Sequence, residues 1–498
     1  MNKFKKLAGQ TAIYGLGTIV PRLLNYLLLT PFYTYIFAQG NYGIVTELYA
    51  YVAFLVVILT YGMETTYFRF AEKEENQNQV FSTAFISLLF TTSIFIILTL
   101  FFLHPIANSI HYENNSEYII WMILIVGLDA ISAVPFAKLR QQNKALTFVI
   151  IKLINVVINI GLNLFFLKYC PKILSDNPDS IVQYIYSENI GVGYAFISNL
   201  VASIISFLFL IPIIFSSKLC FNFPLLKKML HYTYPLLIVG VAGIMNEHAD
   251  KILLKHFLII PDGVVNSKDY IMSQIGVYGA VYKLAVLMTI FIQMFRYAAE
   301  PFFFAQAKEK NSNKTYADLL TYFTIFGLLI FLSVTLYMDV VKYFIGPEYR
   351  VGLDIVPIIL LANLFLGIYY NLSVWYKLKN LTKYGAIIAI LGAIITVGLN
   401  VIFIPIYGYI ASAWATLICY VAMVVVSYLW GQRYMKIPYS VSKISIYLIL
   451  AIAIYIFSDN IHPESKLISL SLNTLYLLIF VVFVFAIERN KLYKFKIS

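Results

Sequence analysis

Charge is what this sequence has least of. Of its 498 residues, only 12% are Asp, Glu, Lys or Arg, where a soluble domain carries about 25%. So thin a supply cannot cover a water-facing surface, which excludes an ordinary soluble globular protein. Cysteine is scarce as well. Cys170, Cys220 and Cys419 fall in three separate segments with no metal-ligand spacing, so neither a disulfide framework nor a zinc site follows from them. Catalytic signatures are missing: Gly15 and Gly17 lack the third glycine of a dinucleotide fingerprint, and no P-loop, G-x-S-x-G, H-E-x-x-H or acidic metal box occurs.

What fills the chain instead is apolar. Hydrophobic residues make up 61% of it, including 40 tyrosines and 39 phenylalanines, and mean hydropathy is +0.80. Sixteen prolines and 24 glycines in such a background suit transmembrane helices, which tolerate both. The tyrosines and phenylalanines should supply interfacial belts and packing. Net charge is +12, but the Lys and Arg residues sit in short breaks between apolar runs, as juxtamembrane charge does. Nucleic acid is therefore not the expected partner. The first apolar run is far longer than a signal-peptide core and contains Arg22, so it reads as a retained helix.

A helix needs about 20 apolar residues to cross the hydrocarbon. Such runs occur near 10–36, 42–69, 79–103, 117–137, 146–168, 191–215 and 231–258. They continue near 275–304, 316–338, 354–376, 384–404, 408–430, 441–457 and 467–487, which predicts an all-α integral membrane protein of about 14 helices. Alternate breaks are basic: the KFKK start, Lys138 to Lys144, Lys218 to Lys228, Lys308 to Lys314, Lys377 to Lys383, Arg433 to Lys436, and the tail from Arg489. The breaks at 38–41, 104–116 and 405–407 hold no Lys or Arg. Positive charge marks the cytoplasmic side, so an even helix number with both termini cytoplasmic is expected.

The chain also repeats itself. Residues 40–71 lie over 276–307, sharing Gly40/Gly276, Tyr42/Tyr278, Gly43/Gly279, Tyr61/Tyr297, Glu64/Glu300 and Phe68/Phe304. Arg140 to Asn163 lies over Lys377 to Asn400, both ending in Gly-Leu-Asn. The expected organisation is a six-helix lobe at 1–218, a second at 219–436, and two further helices with a tail at 437–498. Six helices per unit insert both lobes the same way round, so a pseudo-two-fold axis along the membrane normal should relate them.

Ionisable residues deep in such helices cost about 2.5–3.5 kcal/mol each on insertion scales and normally face a cavity or a partner. They are Arg22, Glu47, Glu64, Asp129 and Lys152 in the first half, and Glu247, His248, Asp250, Lys251, Lys283, Arg296 and Glu300 in the second. Arg22 follows Pro21, where a kink is expected. It either turns into a central cavity, where a guanidinium grips phosphate bidentately, or pairs internally with a residue such as Asp129. Glu47 and Lys283 occupy equivalent repeat positions and either pair across the cleft or pair within their own halves. Glu64 and Glu300 suggest an inner-rim hydrogen bond or ion pair, with Arg296 one turn from Glu300, ahead of ion coupling. Lys152 either snorkels to the cytoplasmic interface or is the first cation to meet a phosphate. Asp129 is expected to neutralise one of these cations, and Glu247 or Asp250 would carry proton or sodium coupling if it exists.

The segments DKILL (Asp250 to Leu254), IGVYGAVYKL (Ile275 to Leu284) and GLNVIFIPIYGYIASAWA (Gly398 to Ala415), on a fourteen-helix plan, resemble the polysaccharide and oligosaccharide flippases. These share a superfamily with multidrug-and-toxin-extrusion transporters and lipid II flippases. The resemblance implies two bundles around a cavity opened alternately to each side. It also implies an undecaprenyl-diphosphate-linked oligosaccharide cargo, moved to the periplasmic leaflet of a bacterial inner membrane for O-antigen, capsule or exopolysaccharide synthesis. Arg22, Lys152, Lys283 and Arg296 would meet the diphosphate. Glu47, Glu64, Asp129, Glu247, Asp250, Lys251 and Glu300 would serve ion coupling or gating. The protein would act as a monomer without a cofactor, upstream of the polysaccharide polymerase machinery, driven by a proton gradient, a sodium gradient or downstream consumption of its product. Lipid II flippases place arginines in helices 1, 2 and 8; Glu47 stands where helix 2 would offer one, which argues against lipid II as substrate. A cation-coupled multidrug exporter is the alternative on the same fold. A polymerase or ligase fits less well, because the longest outer break is about 20 residues.

Overall fold

The computed structural model describes residues 3–306, 309, 311–461, 463 and 465–495, without the side chains of 3–14, 16, 300, 301, 304, 305 and 490–495. Every regular element among them is helical. Twelve helices are long and apolar enough to cross a membrane, thirteen if one bent pair counts as a span. With α1 (Lys3–Ile36), the remaining long helix, these are the runs expected from the sequence. In hydrocarbon only a helix satisfies its own backbone, which is why the apolar runs take this form.

By packing, the chain divides into residues 1–279 and 280–498. The first unit follows α1 with α2 (Gln39–Thr60), α3 (Met63–Lys73), α4 (Gln77–Phe101) and the short α5 (Leu103–Ser109). Next come α6 (Ser116–Gln141), α7 (Ala145–Leu164), α8 (Cys170–Asp176), α9 (Gly193–Phe215), α10 (Phe223–Phe257) and most of α11 (Ser267–Leu284). The second unit holds α12 (Val286–Gln306), α13 (Ser312–Leu336), α14 (Met338–Val341), α15 (Val356–Leu372) and α16 (Val374–Leu378). It ends with α17 (Thr382–Tyr407), α18 (Tyr409–Tyr434), α19 (Val441–Asp459) and α20 (Lys466–Phe495).

Local chemistry places the ends. Asn222 caps α10, its side chain accepting from the Leu225 N–H at 3.0 Å, and Pro224 fills the first turn, where a missing N–H costs nothing. Asn76 caps α4 in the same way. Pro21 and Pro31 lie inside α1 without ending it. The span read as 42–69 is broken instead at Tyr61 and Gly62, whose φ values of 35° and 74° are left-handed. Tyr61 is held there by a 2.7 Å bond between its hydroxyl and Ser87. The run read as 275–304 is likewise two helices, bent by 51°. Around Ala285 the backbone bonds tighten to the i−3 pattern, Ala285 N–H to Tyr282 and Met288 N–H to Ala285, which breaks the α ladder.

The repeated glycines meet each other. A Cβ on Gly43 would run into the carbonyl of Met272, one on Gly276 into that of Gln39, and one on Gly279 into Thr46. Between membrane helices apolar area drives little, so close backbone approach through small residues is what holds a crossing. The paired glycines of α2 and α11 supply that approach. Gly43→Leu is expected to lower the melting temperature in detergent by several degrees. Gly161→Ala, whose Cβ would meet nothing within 4 Å, should not, and equal melting of the two variants would refute the crossing.

Candidate functional site

Beside the glycine crossing, α2 and α10 bury a charge cluster. Glu47 is fully buried, and its carboxylate accepts from Lys255 Nζ at 2.7 Å and from the Tyr112 hydroxyl at 2.8 Å. The ammonium also donates to the Ile110 carbonyl at 2.6 Å and lies 4.5 Å from the Tyr112 ring centroid. Burial, reinforced by Glu47, pushes the Tyr112 phenol well above its usual range, so it stays a donor. Glu47 is thus paired within its own unit by Lys255, a residue that the sequence pattern did not single out. Lys255 could have been found as the next turn of the Asp250–Lys251 face.

One turn along α10, Lys251 Nζ donates to Asp250 at 2.9 Å and to the Glu247 carbonyl at 3.3 Å. The other oxygen of Asp250 accepts from Tyr278 of α11. Asp250 and Lys251 are both buried. Glu247 is exposed, with its carboxylate 3.8 Å from the His248 imidazole.

A second cluster lies on α3, α6, α7 and α9. Arg140 pairs with Glu64 at 2.8 Å, and the guanidinium stands 4.9 Å over Phe68. Lys152 sits 4.1 Å over the Phe136 ring and feels the charges of Asp129 and Glu64. Ser203 donates to Asp129 at 3.4 Å. Asp129 is nonetheless an exposed residue in the middle of a helix packed on α4, α2 and α9. Arg22 is also exposed. Gly17 lies against Val149, and the Tyr33 hydroxyl donates to Asn163 at 2.7 Å, so α1 and α7 run parallel in a fixed register. That register puts Arg22 within about one turn of Lys152 along the helix axes. Two cations and one carboxylate thus share a depth on three neighbouring helices.

In the second unit, the exposed Arg296 guanidinium stacks 4.0 Å over Tyr370. Lys283 is exposed near the end of α11. The side chain of Glu300 lies outside the described residues. Among the described residues, no group of three His, Cys, Asp or Glu could hold a metal ion.

An all-helical chain of this kind, with paired and stacked ionisable groups between membrane-length helices, is a multi-pass membrane protein. Its backbone matches a lipid II flippase, MurJ, in an inward closed conformation, with TM-score 0.70, 17% identity, and 95% of this chain and 99% of that one covered. It also matches an inward-facing multidrug resistance transporter of the MATE family, in the MOP superfamily, at TM-score 0.64, 14% identity, and 85% and 97% coverage. A third match is the MATE multidrug transporter DinF-BH, at 0.59, 17%, and 87% and 96%. No curated protein sequence matches it significantly. Residues 7–306 match the family described as polysaccharide biosynthesis protein, and the chain belongs to that family.

The Glu47–Lys255 pair makes a sharp prediction. Lys255→Ala leaves a buried, unpaired carboxylate and should destabilise the protein by about 3–5 kcal/mol. The double variant Glu47→Gln/Lys255→Met should recover most of that loss. Thermal unfolding in nanodiscs checks it, and a double variant no better than Lys255→Ala would refute the pairing.

Proposed function

We propose that the protein is a flippase for undecaprenyl-diphosphate-linked oligosaccharides, carrying repeat units from the cytoplasmic to the periplasmic leaflet for surface polysaccharide synthesis. Membership of the polysaccharide biosynthesis family carries this reading. The cations support it: Arg22 and Lys152, on parallel helices at one depth, present a diphosphate with a bidentate fork and a point charge. Lys283 and Arg296 supply the second half's cations. The two lobes would open alternately, with α10 moving with the first unit, on which it packs. The alternating basic breaks support cytoplasmic termini, and a bacterial inner-membrane location goes with the proposed cargo. The protein would work as a monomeric transporter without a cofactor, handing its product to the polymerase machinery.

Energy would come from a proton or sodium gradient read by the carboxylates. Asp129 is the leading choice because it is an exposed carboxylate whose charge acts on Lys152, so that its protonation would free the ammonium for the diphosphate. Asp250 and Glu47, buried and already paired, suit gating better, as do Lys251, Glu64 and Glu300; Glu247 is exposed.

In a deletion strain, full-length lipid-linked repeat units should accumulate in the cytoplasmic leaflet while surface glycan disappears. Normal glycan with new sensitivity to cationic drugs would move the protein to the exporter reading. In the complemented strain, Arg22→Ala should abolish surface glycan and Arg22→Lys should keep part of it. Normal glycan with Arg22→Ala would place the diphosphate grip elsewhere.

A further inference from the structure

The first unit has an apolar groove that neither ion cluster uses. It encloses about 740 Å³ between α2, α4 and α10, and its wall includes Tyr61, Phe90, Phe221, Phe223, Leu230 and Tyr234. Phe90, Phe223 and Tyr234 are 65%, 67% and 66% exposed, so these rings are presented outward and are not packed away. Tyr61, Ser87, Thr91 and Thr233 on the wall have their hydroxyls engaged internally. The Tyr61 hydroxyl bonds Ser87, Thr91 donates to the Ser87 carbonyl, and Thr233 donates to the Met229 carbonyl. The groove therefore presents hydrocarbon and aromatic faces to its occupant. It also borders the left-handed break at Tyr61 and Gly62, where α2 gives way to α3.

One end of the groove is basic. Lys227 is exposed and lies on the stripe of α10 that carries Phe223, Leu230 and Tyr234. Lys218, also exposed, stands three residues before Phe221. By the charge pattern this is the cytoplasmic end. A space of this size at bilayer depth fills with lipid hydrocarbon, since an empty apolar void forfeits dispersion contacts.

We propose that this groove seats the polyisoprenoid tail of the lipid-linked substrate in the cytoplasmic leaflet as it enters, with its phosphate at Lys227 and Lys218 before the head group passes to Arg22 and Lys152. The inference rests on the flippase reading, because it takes the tail from that substrate. Two features favour such a tail over an ordinary phospholipid chain. The groove wall is rich in aromatic rings, and its basic end suits an anionic head that sits on a single chain. An aromatic face also favours the unsaturated, branched chain by close contact.

The test uses the full-length protein in nanodiscs of phosphatidylethanolamine and phosphatidylglycerol, with a diazirine-bearing polyprenyl phosphate as probe. Cross-linked peptides are read by mass spectrometry. Label is expected on the peptides containing Tyr61, Phe90 and Tyr234, displaced by undecaprenyl phosphate and not by extra phosphatidylglycerol. Leu230→Trp and Ile58→Trp, both at exposed positions on the wall, should each cut that labelling about tenfold, equivalent to about 1.4 kcal/mol. Leu208→Trp, exposed on α9 away from the groove, should leave it unchanged. Label spread over all lipid-facing helices, or equal competition by phosphatidylglycerol, would overturn the proposal. Transport of a lipid-linked oligosaccharide in proteoliposomes separates the two readings. Transport without groove labelling sinks only the groove, whereas specific groove labelling without transport upholds the groove and sinks the flippase reading.

Discussion

A charge inside an apolar bundle must be paired, stacked on a ring, or given access to water, and the interior of this protein is organised by that demand. Glu47 meets it completely: it is fully buried, and its carboxylate accepts from Lys255 and from Tyr112. Because Lys255 lies 208 residues away in sequence, satisfying one carboxylate ties α2 to α10. The glycine crossing beside it lets α2 and α11 approach closely, and Asp250 with Tyr278 ties α10 to α11 in turn. Three helices are thus locked around charges that would be unaffordable singly.

The second cluster answers the same demand less completely, which is why it suits a working site. Lys152 is stabilised by a ring face and by charges around it, while Asp129 is exposed and holds a long bond from Ser203. Arg22 stands exposed at the same depth. A fully satisfied pair such as Glu47–Lys255 rigidifies, whereas cations with solvent access can exchange a protein partner for an anionic one. The two clusters thus differ in how completely their charges are satisfied within the protein.

Much of this was legible in the order of the amino acids. Hydrophobic runs longer than about 20 residues can only be satisfied as helices in lipid, so the helix positions followed from composition. The duplication predicted which segments correspond, and Gly40, Gly43, Gly276 and Gly279 were visible as shared residues. Their purpose was not visible, because nothing in a repeat says that its two copies pack on each other. The break at Tyr61 was also hidden. A tyrosine gives no local signal for a left-handed backbone, and it is the Ser87 hydroxyl on α4 that helps hold it.

The sequence by itself determined that the chain is an all-helical membrane protein, which residues are costly in it, and which family it resembles. These follow from transfer free energies and spacing, which are local properties. Only the tertiary structure decided that Glu47 belongs to Lys255, that Glu64 belongs to Arg140, and that Arg22 and Lys152 share a depth. Pairing depends on which helix faces are turned together across hundreds of residues. Hydropathy is blind to that, because every apolar face reads alike until a partner is set against it.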